Sequence, residues 1–221
     1  MKTIYIVRHG ETEWNAERRM QGRLDSPLND NGREQAYRHG RTLVDLGGVD
    51  FIVASPSGRT RETTAIINRF LGVPVEYDER LMERDCGNWS GFTVDEIAAM
   101  DPGEWWLRDR DPYFHRPPGG ENLPDVIDRI VTPLQRVLAA PEPRVAVITH
   151  GIVSRAILTH LLELTPVQAN RLRHPNNLFY RLTLGTDGLT TDFFRDGSGP
   201  VSGLLRPDAD ETIPVAGMTS D

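Results

Sequence analysis

The 221-residue chain has one cysteine and one lysine. With Cys86 alone, no intramolecular disulfide and no cysteine-rich zinc site can form. With Lys2 alone, arginine carries almost all of the positive charge, a bias that by itself says nothing of function. No apolar run approaches the roughly 18–20 residues of a membrane-spanning helix. The stretch from Met1 to Arg8 is too short for the apolar part of a secretory leader, about 7–15 residues. A cytoplasmic protein without a membrane partner is therefore expected. A net charge of −7 opposes non-specific attraction to nucleic acid, so nucleic acid is not an expected partner either. What remains is ordinary for a globular protein: 38% hydrophobic and 26% charged residues, in a length that suits one α/β domain.

Apolar strands alternate with helical patterns, which predicts a three-layer α/β fold, a mostly parallel sheet flanked by helices. Strands are expected at 3–7, 51–54 and 145–149, with a terminal hairpin of 178–184 and 189–194. A helix capped by Asp30 or Asn31 turns Ala36, Gly40, Leu43 and Val44 inward and ends at Gly47-Gly48. A second spans 60–71, and a third follows Thr149 with Val153, Ala156, Ile157 and Leu161 inward. Pro133 should kink the helical pattern from Val126 to Leu138. The aromatic, Gly- and Pro-rich segment 85–122 reads as an inserted lid region. Residues 1–196 form the domain, and 197–221, rich in Gly, Pro, Ser and Asp, are expected to be a poorly ordered tail.

Chemistry shows in the positions of a few cations. Three apolar strands end in Arg8-His9-Gly10, in Ser55-Pro56-Ser57-Gly58-Arg59 and in His150-Gly151, each leading towards a helix. In open parallel sheets ligands bind beyond the carboxyl ends of strands, where helix N-termini already favour anions. Any one of these pieces has a bland reading: a chance tripeptide, a solvated arginine, a core histidine. Their recurrence at one topological place points to a phosphate cradle.

Those residues carry a resemblance. Arg8-His9-Gly10-Glu11-Thr12 resembles the R-H-G-E-T signature of the histidine phosphatase superfamily, which includes the phosphoglycerate mutase-like enzymes. Segment 55–63 is similar to its second arginine motif, 81–91 to its general-acid segment and Thr149-His150-Gly151 to its second histidine motif. Asn15, Gln21-Gly22, Pro27-Leu28 and Gly119-Gly120-Glu121 also match, so that about residues 2–195 are covered. The resemblance implies a phosphoglycerate mutase-like fold and a phosphoric monoester hydrolase of the histidine acid phosphatase type. It would act on a small phosphorylated metabolite with no cofactor and no metal. By the same resemblance His9 takes the phosphoryl group and Glu83 is the proton donor. Arg8, Arg59 and His150 hold the phosphoryl oxygens. Asn15, Gln21, Gly22 and Gly151 complete the substrate pocket.

Within that family the rival is the 2,3-bisphosphoglycerate-dependent mutase. Cys86 stands where its acid segment usually carries Tyr, and no lysine follows Lys2, which favours the phosphatase branch. A metallohydrolase built on His9, His150, Glu83 and Glu121 lacks short helical ligand spacing. His39, His160 and His174 read as structural or solvated. His115 with Arg108, Arg110 and Arg116 reads as a solvated charged face rather than a contact to a distal acidic group. A homodimer, through edge strands or Trp105-Trp106, is left open.

Overall fold

β1 (Lys2–Arg8) occupies the centre of the sheet because Thr3 to Val7, β-branched or aromatic, tolerate burial on both faces. The computed structural model describes residues 1–186, 188–205 and the backbone of 212–213. Along the chain the strands are β2 (Phe51–Ala54), β3 (Val75–Tyr77), β4 (Arg144–Thr149), β5 (Leu178–Gly185), β6 (Gly188–Arg195) and β7 (Ser198–Ser202). Their order in the sheet is β3-β2-β4-β1-β5-β6-β7. The first four are mutually parallel, while β5, β6 and β7 extend one side as antiparallel hairpins. β8 (Leu204–Leu205) and β9 (Thr212–Ile213) pair separately.

Eight α-helices accompany these strands among the described residues: α1 (Glu13–Ala16), α2 (Asp30–Asp45), α3 (Gly58–Leu71), α4 (Val94–Met100), α5 (Pro102–Arg110), α6 (Leu123–Ala139), α7 (Gly151–Leu161) and α8 (Pro166–Arg171). Alternation along the strands separates two cores. Ile4, Ile6, Val145 and Val147 face α6 and α7, meeting Val126, Ile130, Leu134, Val153 and Ile157. Tyr5, Val7, Ile52, Ala54, Ala146 and Ile148 face α2 and α3, meeting Leu43 and Ile67. The expected three layers follow from that period of two.

Several local expectations need correction. The cap of α2 is Asn29, whose side chain accepts from Gly32 N–H at 2.8 Å, and Val44 is 45% exposed rather than inward. α6 continues through Pro133 as one helix, with Leu134 and Val137 packed on the core beyond it. Part of the tail expected to be poorly ordered is structured, since Ser198–Ser202 joins the sheet. Asp196 and Gly197 both have positive φ, 51° and 81°, as a two-residue type I′ hairpin turn demands. Every side chain of β7 is exposed, so no apolar pattern announced it. Residues 206–211 and 214–221 of that expected tail lie outside the described residues. Segment 85–122 holds α4 and α5 around a small core of Cys86, Trp89 and Ile97, with Met20 and Trp105 against it.

Candidate active site

Register brings the three strand ends together. Arg8 stands beside Thr149 and Ala54 beside Ile148, so β2, β4 and β1 release the chain side by side. His9 N–H donates to Thr149 O at 2.9 Å and Ser55 N–H to Ile148 O at 3.0 Å. The His9 and His150 rings then meet edge to face, 5.2 Å between centroids. α3 and α7 begin at the same end, and their first turns already attract carboxylates: Arg59 N–H donates to Asp25 Oδ1 and Ile152 N–H to Glu83 Oε2. Gly151 opens α7 because a Cβ there would come within 3.3 Å of the Arg8 guanidinium carbon.

Both imidazoles are almost wholly buried, His9 2% exposed and His150 0%. His9 Nδ1 lies 2.7 Å from Gly10 O. A carbonyl only accepts, so Nδ1 carries the proton and Nε2 keeps its lone pair. Burial above all, then Arg59 and Arg8, holds the His9 pKa well below the ordinary histidine range. Burial, then Arg59, His9 and Arg8, does the same to His150. Both rings are neutral at pH 7. His150 Nε2 is 2.8 Å from Ser55 Oγ.

Of the two arginines, Arg59 is a cation taken out of water and Arg8 one taken partly out of it. Arg59 is 1% exposed; its Nη1 donates to Leu24 O and Asp25 Oδ1, and its Nη2 to Gly22 O at 2.9 Å. Gly22 adopts φ +54°, a conformation that glycine reaches without strain. Arg8 Nη1 donates to His174 O at 2.7 Å. The Nε groups of both arginines and His150 Nδ1 are buried without a partner among the described residues. Unpaired donors on buried cations are costly, and an anion seated among them removes that cost. A phosphoryl group has the charge and the number of acceptors to do so.

Glu83 comes from the loop between β3 and α4. Its Oε1 accepts from Arg84 N–H at 2.9 Å and its Oε2 from Ile152 N–H at 3.3 Å, which draws the carboxylate to the start of α7. Asn15 closes a capping box on Thr12, and its Oδ1 also meets Asn176 Nδ2 at 3.5 Å. Gln21 Nε2 donates to Thr12 Oγ1 at 2.7 Å, which uses one of its two N–H groups. Among the described residues no group of three His, Cys, Asp or Glu side chains gathers to hold a metal.

Several supporting residues escaped the sequence reading. Asn176 Nδ2 donates to His9 O at 2.8 Å. Arg129 reaches the backbone carbonyls of Arg80 and Glu83 and pairs with both oxygens of Glu121. Glu121 in turn accepts from Asp85 N–H, so the Gly-Gly-Glu motif anchors the Glu83 loop to α6. His39, 2% exposed, and His174 are structural, bonded to Asn176 O and Leu178 O. Of the expected charged face of the insertion, Arg110 and Arg116 are exposed, whereas the His115 side chain turns inward. His115 stacks on Trp89 and pairs with Glu104, Arg116 pairs with Asp125 and Arg110 lies over Trp106.

Among the described residues no helix is long and apolar enough to cross a membrane. A family model described as "Histidine phosphatase superfamily (branch 1)" matches residues 4–197. A protein named "Probable phosphoglycerate mutase GpmB" from Salmonella paratyphi B is 34% identical over 215 residues, 96% of this chain and 99% of that protein. The solved structure of Bacillus stearothermophilus YhfR is 32% identical at a TM-score of 0.78, covering 91% of this chain and 98% of its own. A mycobacterial glucosyl-3-phosphoglycerate phosphatase in complex with VO3 is 28% identical at a TM-score of 0.78, covering 88% and 99%. The alpha-ribazole phosphatase of Shigella flexneri, at 19% identity and a TM-score of 0.80 over 91% and 100%, shares the fold.

Proposed function

Because the chain belongs to the histidine phosphatase superfamily, branch 1, we propose that it hydrolyses a small phosphorylated metabolite through a phosphohistidine at His9. One observation carries the reading: a neutral, buried His9 beside the guanidiniums of buried Arg59 and half-buried Arg8, whose Nε groups are buried and lack partners among the described residues. His9 Nε2 attacks phosphorus, and the bond to the leaving oxygen breaks in line. Arg8, Arg59 and His150 take the phosphoryl oxygens, where charge gathers in the transition state. Ser55, donating to His150 Nε2, leaves His150 Nδ1 to donate to the phosphoryl group. Asn15 supplies a neutral donor, while Gln21 holds Thr12, Gly22 seats Arg59 and Gly151 admits Arg8. Glu83 delivers a proton to the leaving alkoxide, then removes one from the water that attacks the phosphohistidine. The charge of the phosphoryl group is met by guanidinium, so activity is expected to survive EDTA.

The relative's name raises mutase chemistry as a second reading. Against it, Lys2 Nζ is held by Ala140 O and Glu142 O, at the opposite end of β1 from His9. Cys86 is buried with its thiol on Arg84 O. Neither supplies a basic or phenolic group to a phosphoglycerate. With 3-phosphoglycerate, phosphate release is expected to outrun isomerisation. His9→Ala should lower phosphate release by at least about 10³-fold and abolish the acid-labile phosphoenzyme. Undiminished hydrolysis by that variant sinks the proposal.

A further inference from the structure

A guanidinium has five N–H donors, and the loop of residues 22–25 takes three of those of Arg59. Leu24 O accepts from Nη1 at 2.7 Å, Asp25 Oδ1 from Nη1 at 3.0 Å and Gly22 O from Nη2 at 2.9 Å. Left over are Nε–H, buried without a partner among the described residues, and one N–H of Nη2. Nε and Nη2 share one edge of the planar fork, the edge that meets two oxygens of one phosphoryl group at once. Nη1 lies off that edge. The loop therefore orients the fork without competing for the side that an anion would use.

Two of the three acceptors are backbone carbonyls; the third is a charged side chain. Asp25 Oδ1 also accepts from the backbone N–H of Arg59 at 3.3 Å, across 34 residues of sequence. Ser57, the N-cap of α3, makes no capping bond of its own, so Asp25 serves that helix end as well. Gly58 keeps room for it. A Cβ on Gly58 would lie 2.0 Å from Asp25 Oδ2 and 3.2 Å from Asp25 Cγ. Gly58 is exposed and does not adopt the left-handed backbone that calls for glycine. Alanine is the better helix former, so what glycine supplies at 58 is the space that the Asp25 carboxylate fills.

We propose that Asp25 is a positioning residue for phosphoryl transfer: it fixes the Arg59 fork with its Nε and Nη2 edge towards the phosphoryl group, and residue 58 is glycine to admit it. The inference rests on the phosphohistidine reading above. The Asp25 carboxylate touches no reacting atom and acts only through Arg59. Its effect is largest in the transition state, where charge gathers on the oxygens that the fork holds.

A double-mutant cycle with p-nitrophenyl phosphate tests it. Asp25→Ala should lower kcat/KM about 10–100-fold, the scale of one charged hydrogen bond, and mainly through kcat. Asp25→Asn keeps an acceptor for Nη1 and should lose less. Gly58→Ala, with Asp25 in place, should lower kcat/KM about tenfold by displacing the carboxylate. In an Asp25→Ala background the same Gly58→Ala change should do nothing further, since no carboxylate is left to displace. Urea midpoints establish that each variant is assayed folded. A capping role alone would lower the midpoint of Asp25→Ala and leave kcat of the folded enzyme at its native value. That result overturns the proposal, as do native kcat/KM in Gly58→Ala, losses that multiply in the double variant, or faster turnover without Asp25. Should Asp25→Ala fail to fold, the kcat values of Gly58→Ala and Asp25→Asn decide. A His9→Ala enzyme that still turns over would instead overturn the phosphohistidine reading.

Discussion

Glu83 offers its carboxylate to two backbone N–H groups, from Arg84 and Ile152, and that fixes where its proton can go. Glu83→Gln keeps the shape and removes the proton exchange. For a substrate with a poor alkyl leaving group, kcat should fall by about 10²–10⁴-fold. p-Nitrophenyl phosphate needs little help in its first step, so there the second step becomes limiting. Nitrophenol should then appear in a burst equal to the enzyme present. Equal losses on both substrates with no burst would take proton transfer away from Glu83. The side chains legible in the sequence are those whose types the chemistry demands at a strand end: Arg8, His9, Arg59 and His150. Their supports were illegible because they are set by pairing across the chain. Asn176 holds His9 from 167 residues away, and Arg129 grips the Glu83 backbone from 46. No local pattern records such contacts.

Elements approach one another closely where the loop after β1 crosses the start of α2. A Cβ on Gly10 would lie 2.1 Å from Gly32 O, and one on Gly32 2.0 Å from Glu11 O. Asn29 strengthens the crossing, donating its backbone N–H to Glu11 O and its Nδ2 to Glu11 Oε1. Gly32→Ala should therefore cost about 1–3 kcal/mol and lower activity, since the strained loop carries His9. Gly103→Ala, on α5 with nothing within 4 Å, should be neutral or stabilising by up to about 1 kcal/mol. Urea unfolding of the two variants checks the contrast; similar stabilities would mean that the crossing yields easily. At this scale the central strands and their helices were legible, because burial on both faces writes continuous apolar runs. β3 was not, being three residues long at an edge and half-buried. β7 was announced only by Asp196-Gly197, a turn signal that composition masked. The small core of segment 85–122 around Trp89 draws in His115, which a charge count had placed in solvent.

Taken as a whole, the molecule keeps four imidazoles neutral in its interior: His9, His39, His150 and His174. Burial holds His39 at about 4 against an ordinary 6.5, with Asn176 O and Asp196 opposing. Burial, then Arg8, holds His174 at about 3, and His9 and His150 also lie well below the ordinary range. In the unfolded chain all four regain a pKa of about 6.5. As pH falls through that value the unfolded state binds protons that the folded state refuses, so stability decreases. Full stability is present above about pH 7. It declines below about 6.5, by roughly 1 kcal/mol per pH unit for each histidine, and His39 and His174 stop contributing to the slope once they titrate in the fold. His39→Gln retains a donor for Asn176 O without a titrating ring, so it should flatten the acid limb by about one proton. Unfolding free energies measured in urea between about pH 7 and about pH 4.5 read this directly. A native curve that stays level across that interval would mean that water or rearrangement hydrates these rings in the fold. The closed, desolvated pocket on which a neutral His9 nucleophile depends would then be absent.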